Sequence, residues 1–128
     1  MKEFVLKVIE MYPEYVNTKY NFERHLEMRS NSEMLQALTT LNKKLAFIES
    51  WFSVLTTDER YVVRLALNGQ CNLPGIKFSA TKWGVGILQA SEMLRSLYEQ
   101  AITKLVSYAM NQSDTMYSIF SDVAKVLE

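Results

Sequence analysis

Little in this chain can turn sharply, cross-link or hold a metal. Only four of its 128 residues are glycine and two are proline, so tight turns are scarce and long helices are favoured. Cys71 stands alone, which excludes an intrachain disulfide and a cysteine metal cage. His25 is the one histidine, so no second imidazole is present for a zinc site or a catalytic triad. Net charge is also missing: Lys+Arg and Asp+Glu are both 14. A chain that coats DNA without selectivity usually carries a strong positive excess. No apolar run approaches the roughly 20 residues a spanning helix needs, so no membrane partner is expected. Met1-Lys2-Glu3-Phe4 carries an early acid and no sustained apolar stretch behind it, unlike a signal peptide. The expectation is a soluble, cytoplasmic protein with no metal and no cofactor.

What is present is apolar and aromatic. Hydrophobic residues make up 48% of the chain, with seven Tyr, six Phe and two Trp, which is the composition of a globular domain. The length fits one domain over 1–128. Apolar spacing is helical nearly throughout, and the fold class it predicts is all-α: a helical bundle containing a helix-turn-helix.

Phe4, Val5, Val8, Ile9 and Tyr12 form a first stripe that Pro13 is expected to end. A second, more polar helix is predicted over 14–28. Ser32 then reads as the N-cap of a long helix carrying Leu35, Leu38, Leu41, Leu45, Ile48, Trp51, Phe52 and Leu55. That seam is close to a heptad pattern and fits either a partner within the chain or the same helix of a second chain; the expectation is packing within the chain, on the apolar faces of residues 1–26. Residues 1–55 thus form an N-terminal hairpin or bundle.

Thr56-Thr57-Asp58-Glu59 fits a capping box, and Asn68-Gly69 is a typical helix end. A loop is predicted from Gln70 to Phe78, followed by two helices flanking Gly84-Val85-Gly86. A final helix over 113–127 carries Met116, Ile119, Phe120, Val123, Val126 and Leu127, and its stripe fits either the core or a dimer contact.

Residues 79–105 are the most informative stretch. A short aromatic segment ends at Trp83-Gly84, a glycine turn follows, and a longer amphipathic helix begins near Ser91. That order is what a helix-turn-helix requires, and the unit is placed at 57–109. Its second helix would present Ser91, Glu92, Arg95 and Ser96 to a major groove of double-stranded DNA. Arg95 suits guanine, Glu92 suits cytosine, and Ser91 would hold a phosphate at the helix N-terminus. Lys77, Lys82 and Lys104 would contact the DNA backbone. Residues 77–110 hold four bases and two acids, against nine of each in 1–76 and one against three in 111–128. The unit is therefore the one net-basic block. Catalysis has no comparable support: the carboxylates are scattered, and Gly84-Val85-Gly86 lacks the strand and third glycine of a dinucleotide loop. No enzyme is expected.

Two resemblances extend this reading. Phe47-Ile48-Glu49-Ser50-Trp51-Phe52, then Leu55-Thr56-Thr57-Asp58-Glu59-Arg60-Tyr61-Val62-Val63, then Ser91–Leu105 resemble the phage ArpU/RinA regulators over about residues 45–109. Those are small late-gene transcription activators whose C-terminal half is similar to region 4 of sigma factors. The resemblance implies DNA binding in a bacterial host cell; helix-turn-helix proteins commonly bind paired half-sites as dimers, so a homodimer is expected. Separately, Leu73-Pro74-Gly75-Ile76-Lys77-Phe78-Ser79-Ala80-Thr81-Lys82-Trp83 is similar to a segment of a streptococcal phage anti-CRISPR protein acting on type II-A Cas9. It implies the alternative of a protein inhibitor that touches Cas9 through Lys77, Phe78, Lys82 and Trp83. The two aromatics would serve as anchors, or else plug the core between the helices.

Overall fold

Apolar residues at steps of three and four, with few breakers between them, leave helix as the repeating structure here. The structure, a computed structural model, describes residues 1–127. In chain order the elements are α1 (Lys2–Met28), α2 (Ser32–Ser50), a 3-10 turn (Trp51–Val54), α3 (Thr57–Leu67), α4 (Leu73–Trp83), α5 (Ile87–Asn111), α6 (Ser113–Ile119) and α7 (Ser121–Val126). No strand occurs among the described residues.

Pro13 does not end the first helix. It lies inside α1, which runs unbroken for 27 residues. A proline inside a helix costs roughly 3 kcal/mol. Phe4, Val5, Val8, Ile9 and Tyr15 are all buried on both sides of it, and burying one such apolar side chain is worth about 1.5–3 kcal/mol. Tertiary packing of one continuous face therefore outweighs the local penalty. The helix after residue 31 also differs slightly from expectation: Asn31, not Ser32, is the cap, its side-chain oxygen accepting the Met34 N–H at 3.1 Å. The seam packs within the chain, α2 against α1, and α2 ends at Ser50 in the 3-10 turn.

The core gathers α1, the end of α2, α3, α5 and the two C-terminal helices. Ile48, Trp51, Val63, Leu105 and Phe120 are among its fully buried members. Phe47 makes edge contacts with Trp51 and Phe120 at ring-centroid distances of 6.4 and 5.8 Å. Residues 113–127 are two short helices rather than one. Phe120 leaves helical geometry and enters the core, next to Tyr15 as well as Phe47. Just beyond it, Asp122 accepts the Tyr15 hydroxyl at 2.9 Å and pairs with Lys44 at 3.2 Å. This segment thus packs on the core: Met116, Phe120 and Val123 are buried, and Val126 and Leu127 stay exposed.

One region lies mostly outside that core, with half-buried Phe22 its contact to it. From Val16 to Thr40, across the end of α1 and the start of α2, no residue is buried. The two helices project there as an arm, with Tyr20, Met28 and Leu35 open to solvent.

Because α1 continues unbroken through residue 13, Pro13→Ala removes a penalty without changing the native packing. The variant is expected to gain about 1–3 kcal/mol in urea denaturation.

Candidate functional site

The site is the face built by α4, the turn and α5, and α3 holds it in place. Thr56 caps α3 through a full capping box: the Glu59 N–H reaches the Thr56 hydroxyl at 3.3 Å, and Glu59 Oε1 accepts the Thr56 N–H at 2.8 Å. Sequence spacing shows that much. It does not show that Lys104, 45 residues away on α5, donates to the same oxygen at 2.6 Å. Glu59 is 1% exposed, and its second oxygen is buried without a hydrogen-bond partner. Burial pushes the Glu59 carboxyl up. The Lys104 ammonium and the two Thr56 groups outweigh that push and hold it below the ordinary glutamate value. Lys104, expected on the DNA backbone, is instead the counterion of a buried carboxylate.

Next to Glu59, the Arg60 Nε–H donates to the carbonyls of Phe52 and Leu55 at 2.7 and 3.1 Å, tying α3 to the 3-10 turn. The Arg64 guanidinium lies 4.3 Å from the Phe52 ring centroid.

The segment expected as a loop from Gln70 to Phe78 is helical from Leu73. Asn72 caps α4, accepting the Gly75 N–H at 3.2 Å, and Pro74 sits in the first turn, where its missing donor costs nothing. Gly75 is needed for space: a Cβ there would lie 1.9 Å from the Gln70 carbonyl oxygen. Both α3 and α4 stop in the same way. Gly69 and Gly84 take left-handed backbone, and the following residues, Gln70 and Val85, donate back to Leu65 and Ala80 at 2.8 and 3.0 Å.

Tyr61 of α3 fixes α4. The Ser79 hydroxyl donates to the Gly75 carbonyl at 2.8 Å, which leaves Ser79 Oγ to accept the Tyr61 hydroxyl at 2.7 Å. Trp83 meets the Tyr61 ring edge-on at 5.6 Å, and the Lys82 ammonium lies 4.3 Å from the ring centroid. The two aromatics of the Leu73–Trp83 segment therefore part company. Trp83 is half-buried against Tyr61, Val62 and Leu65, whereas Phe78 is 63% exposed.

Helix α5 starts at Ile87, not near Ser91, because extended Gly86 supplies the first carbonyl, bonded to the Ala90 N–H at 2.9 Å. Ser91 therefore lies in the second turn, half-buried and facing inward, and cannot hold a phosphate at the helix N-terminus. Glu92, Arg95 and Ser96 are exposed, as are Lys77 and Lys82 on α4. Lys77 borders a shallow depression along Thr81, Gly84, Gly86 and Ile87. A deeper, open-mouthed cavity of about 540 Å³ lies on the inner side of α5, with walls from α1, α3 and α4, and sequence periodicity gave no sign of it. Among the described residues no three His, Cys, Asp or Glu side chains converge on a metal position.

Comparison with known protein families, curated proteins and solved structures finds no match to this chain.

Glu59 and Asp122 both lose their protons more readily folded than unfolded. Burial raises Asp122 too, but the Tyr15 hydroxyl and Lys44 outweigh it. The stability they contribute is complete above their ordinary values of 4.5 and 3.8, and is lost as pH falls through the lower folded values. Glu59→Gln should cost about 1–2 kcal/mol at pH 7 and flatten this acid limb. Lys104→Met should cost more, about 2–3 kcal/mol, because it strands a buried charge. Urea denaturation between pH 3 and 7 checks both, as order-of-magnitude expectations.

Gly75→Ala should destabilise by about 1–3 kcal/mol in the same assay, since the Gln70 carbonyl is backbone and must move.

Proposed function

We propose that this chain is a phage or prophage transcription regulator, with α4, Gly84–Gly86 and α5 acting as a helix-turn-helix on double-stranded DNA. The observation that carries the reading is one of layout. A short helix braced by Tyr61 leads through a three-residue glycine turn into a long helix whose Glu92, Arg95 and Ser96 face solvent. Arg95 offers a bidentate fork to guanine, and Glu92 accepts from cytosine. Lys77, beside the turn, and Lys82 supply phosphate contacts. The resemblance to ArpU/RinA regulators over residues 45–109 supports the same assignment, as does the Glu59–Lys104 tie that orients α5 on α3.

With Lys104 engaged by Glu59, three bases remain for the DNA: Lys77, Lys82 and Arg95. Two of these, Lys77 and Lys82, neutralise phosphates, and each contributes about −0.9 to the slope of log affinity against log salt, so one protomer should give a slope of about −2. Fluorescence anisotropy on phage promoter-region duplexes against scrambled duplexes tests this. Arg95→Ala is expected to cost about 1–3 kcal/mol and to remove the preference between the two. Lys77→Ala should weaken both equally and reduce the slope by about 1. Equal binding of both duplexes by the unaltered protein rejects the reading.

Phe78 supports a second reading, a phage protein that blocks host type II-A Cas9 by direct contact. A phenylalanine 63% exposed between Lys77 and Lys82 contributes little to the core and fits an aromatic anchor. Of the two expected anchors, half-buried Trp83 is the less suited. Co-elution with Cas9 that is lost in Phe78→Ala and kept in Arg95→Ala would favour this alternative.

A further inference from the structure

The cavity behind α5 shares Arg95 with the proposed DNA surface but none of Glu92, Ser96, Lys77 or Lys82, and its chemistry is specific. At about 540 Å³ it falls within the range of small-molecule sites, about 300–1,000 Å³. Its walls are apolar, with Ile9 from α1, Val62 and Ala66 from α3, Ile76 from α4 and Leu94 from α5. Such walls suit a hydrocarbon or aromatic body and give no reason to admit a polar metabolite.

The charged groups at the cavity are not equivalent. Glu10 is already paired, its carboxylate 3.3 Å from the Lys7 ammonium. Arg95 makes no ion pair among the described residues, although Glu92 and Glu99 lie one turn to either side of it on α5. The cavity therefore offers an apolar interior with one unmatched guanidinium at its edge and the Ser91 hydroxyl beside it on the same helix face. A planar fork of donors pairs with a carboxylate in two parallel hydrogen bonds.

We propose that this cavity binds a small amphipathic monocarboxylate, of the medium-chain fatty acid class, with its hydrocarbon body between α1, α3 and α5 and its carboxylate on Arg95. Arg95 is also the side chain assigned above to guanine. A bound carboxylate would occupy that guanidinium and weaken duplex binding. This coupling rests on the DNA-binding reading, whereas carboxylate binding does not.

The test is isothermal titration of the full chain with decanoate, decanol and decyltrimethylammonium, each below its micelle concentration. Decanoate is expected to saturate at one per chain, at least tenfold tighter than decyltrimethylammonium. Arg95→Met, at an exposed position that leaves the fold intact, should remove the preference for the anion while decanol binding is unchanged. Ala66→Leu, which fills the cavity, should weaken decanoate and decanol together. Non-saturating decanoate binding overturns the proposal, as does equal affinity for the three head groups or a preference that survives Arg95→Met. A second arm adds decanoate to duplex-bound protein and follows anisotropy. A protein that binds decanoate but no duplex retains the carboxylate site and loses the DNA reading; one that binds duplex but no decanoate does the reverse.

Discussion

Glu59 accepts the Thr56 N–H and the Lys104 ammonium on one oxygen while almost wholly buried, so α3 cannot take up its native start without α5 alongside. Such a carboxylate is costly to bury alone and tolerable only with its cation in place. The condition propagates. Arg60 ties the start of α3 to the 3-10 turn, which delivers Trp51 and Phe52 into the main core. On the far side of α3, Tyr61 reaches Ser79, Trp83 and Lys82 and so sets α4. Three consecutive residues, Glu59, Arg60 and Tyr61, thus connect α3 to α5, to the core turn and to α4.

That arrangement explains which parts of the structure were legible in the sequence. The capping box at Thr56–Glu59, the helix stop at Gly69 and the turn at Gly84 depend on residues within one or two helical turns, and local chemistry dictates them. The start of α4 rests on equally local chemistry, Asn72 as cap and Pro74 in the first turn, but Pro74-Gly75 is as much a turn signal, and the segment reads as a loop. Pro13 and Phe120 were not legible. In both, packing against distant residues overrides local preference: a proline stays inside a helix, and a phenylalanine breaks one in order to fill the core. Lys104 is the same kind of case within the site. Its polar position on α5 pointed outward to a ligand, and only the fold brings Glu59 to it.

The candidate surface is accordingly smaller than the sequence suggested, and more divided. Arg95, Glu92, Ser96, Lys77 and Lys82 remain outward. Ser91 turns to the cavity and Lys104 to a carboxylate, so helix α5 serves two sides at once. Its outer residues are free to meet a macromolecule, and its inner residues close a cavity against α1 and α3. Arg95 lies where those two sides meet.

The arm from Val16 to Thr40 has a different consequence. A segment in which no side chain is fully buried places fewer demands on its amino acids than the core does, beyond staying helical and keeping half-buried residues such as Phe22 and Leu38 on the α1–α2 seam. Sequence drift should therefore concentrate there, and matched insertions or deletions of whole helical turns in α1 and α2 would change the reach of the arm while leaving the core untouched. The arm is where a change of helix length would cost the core least.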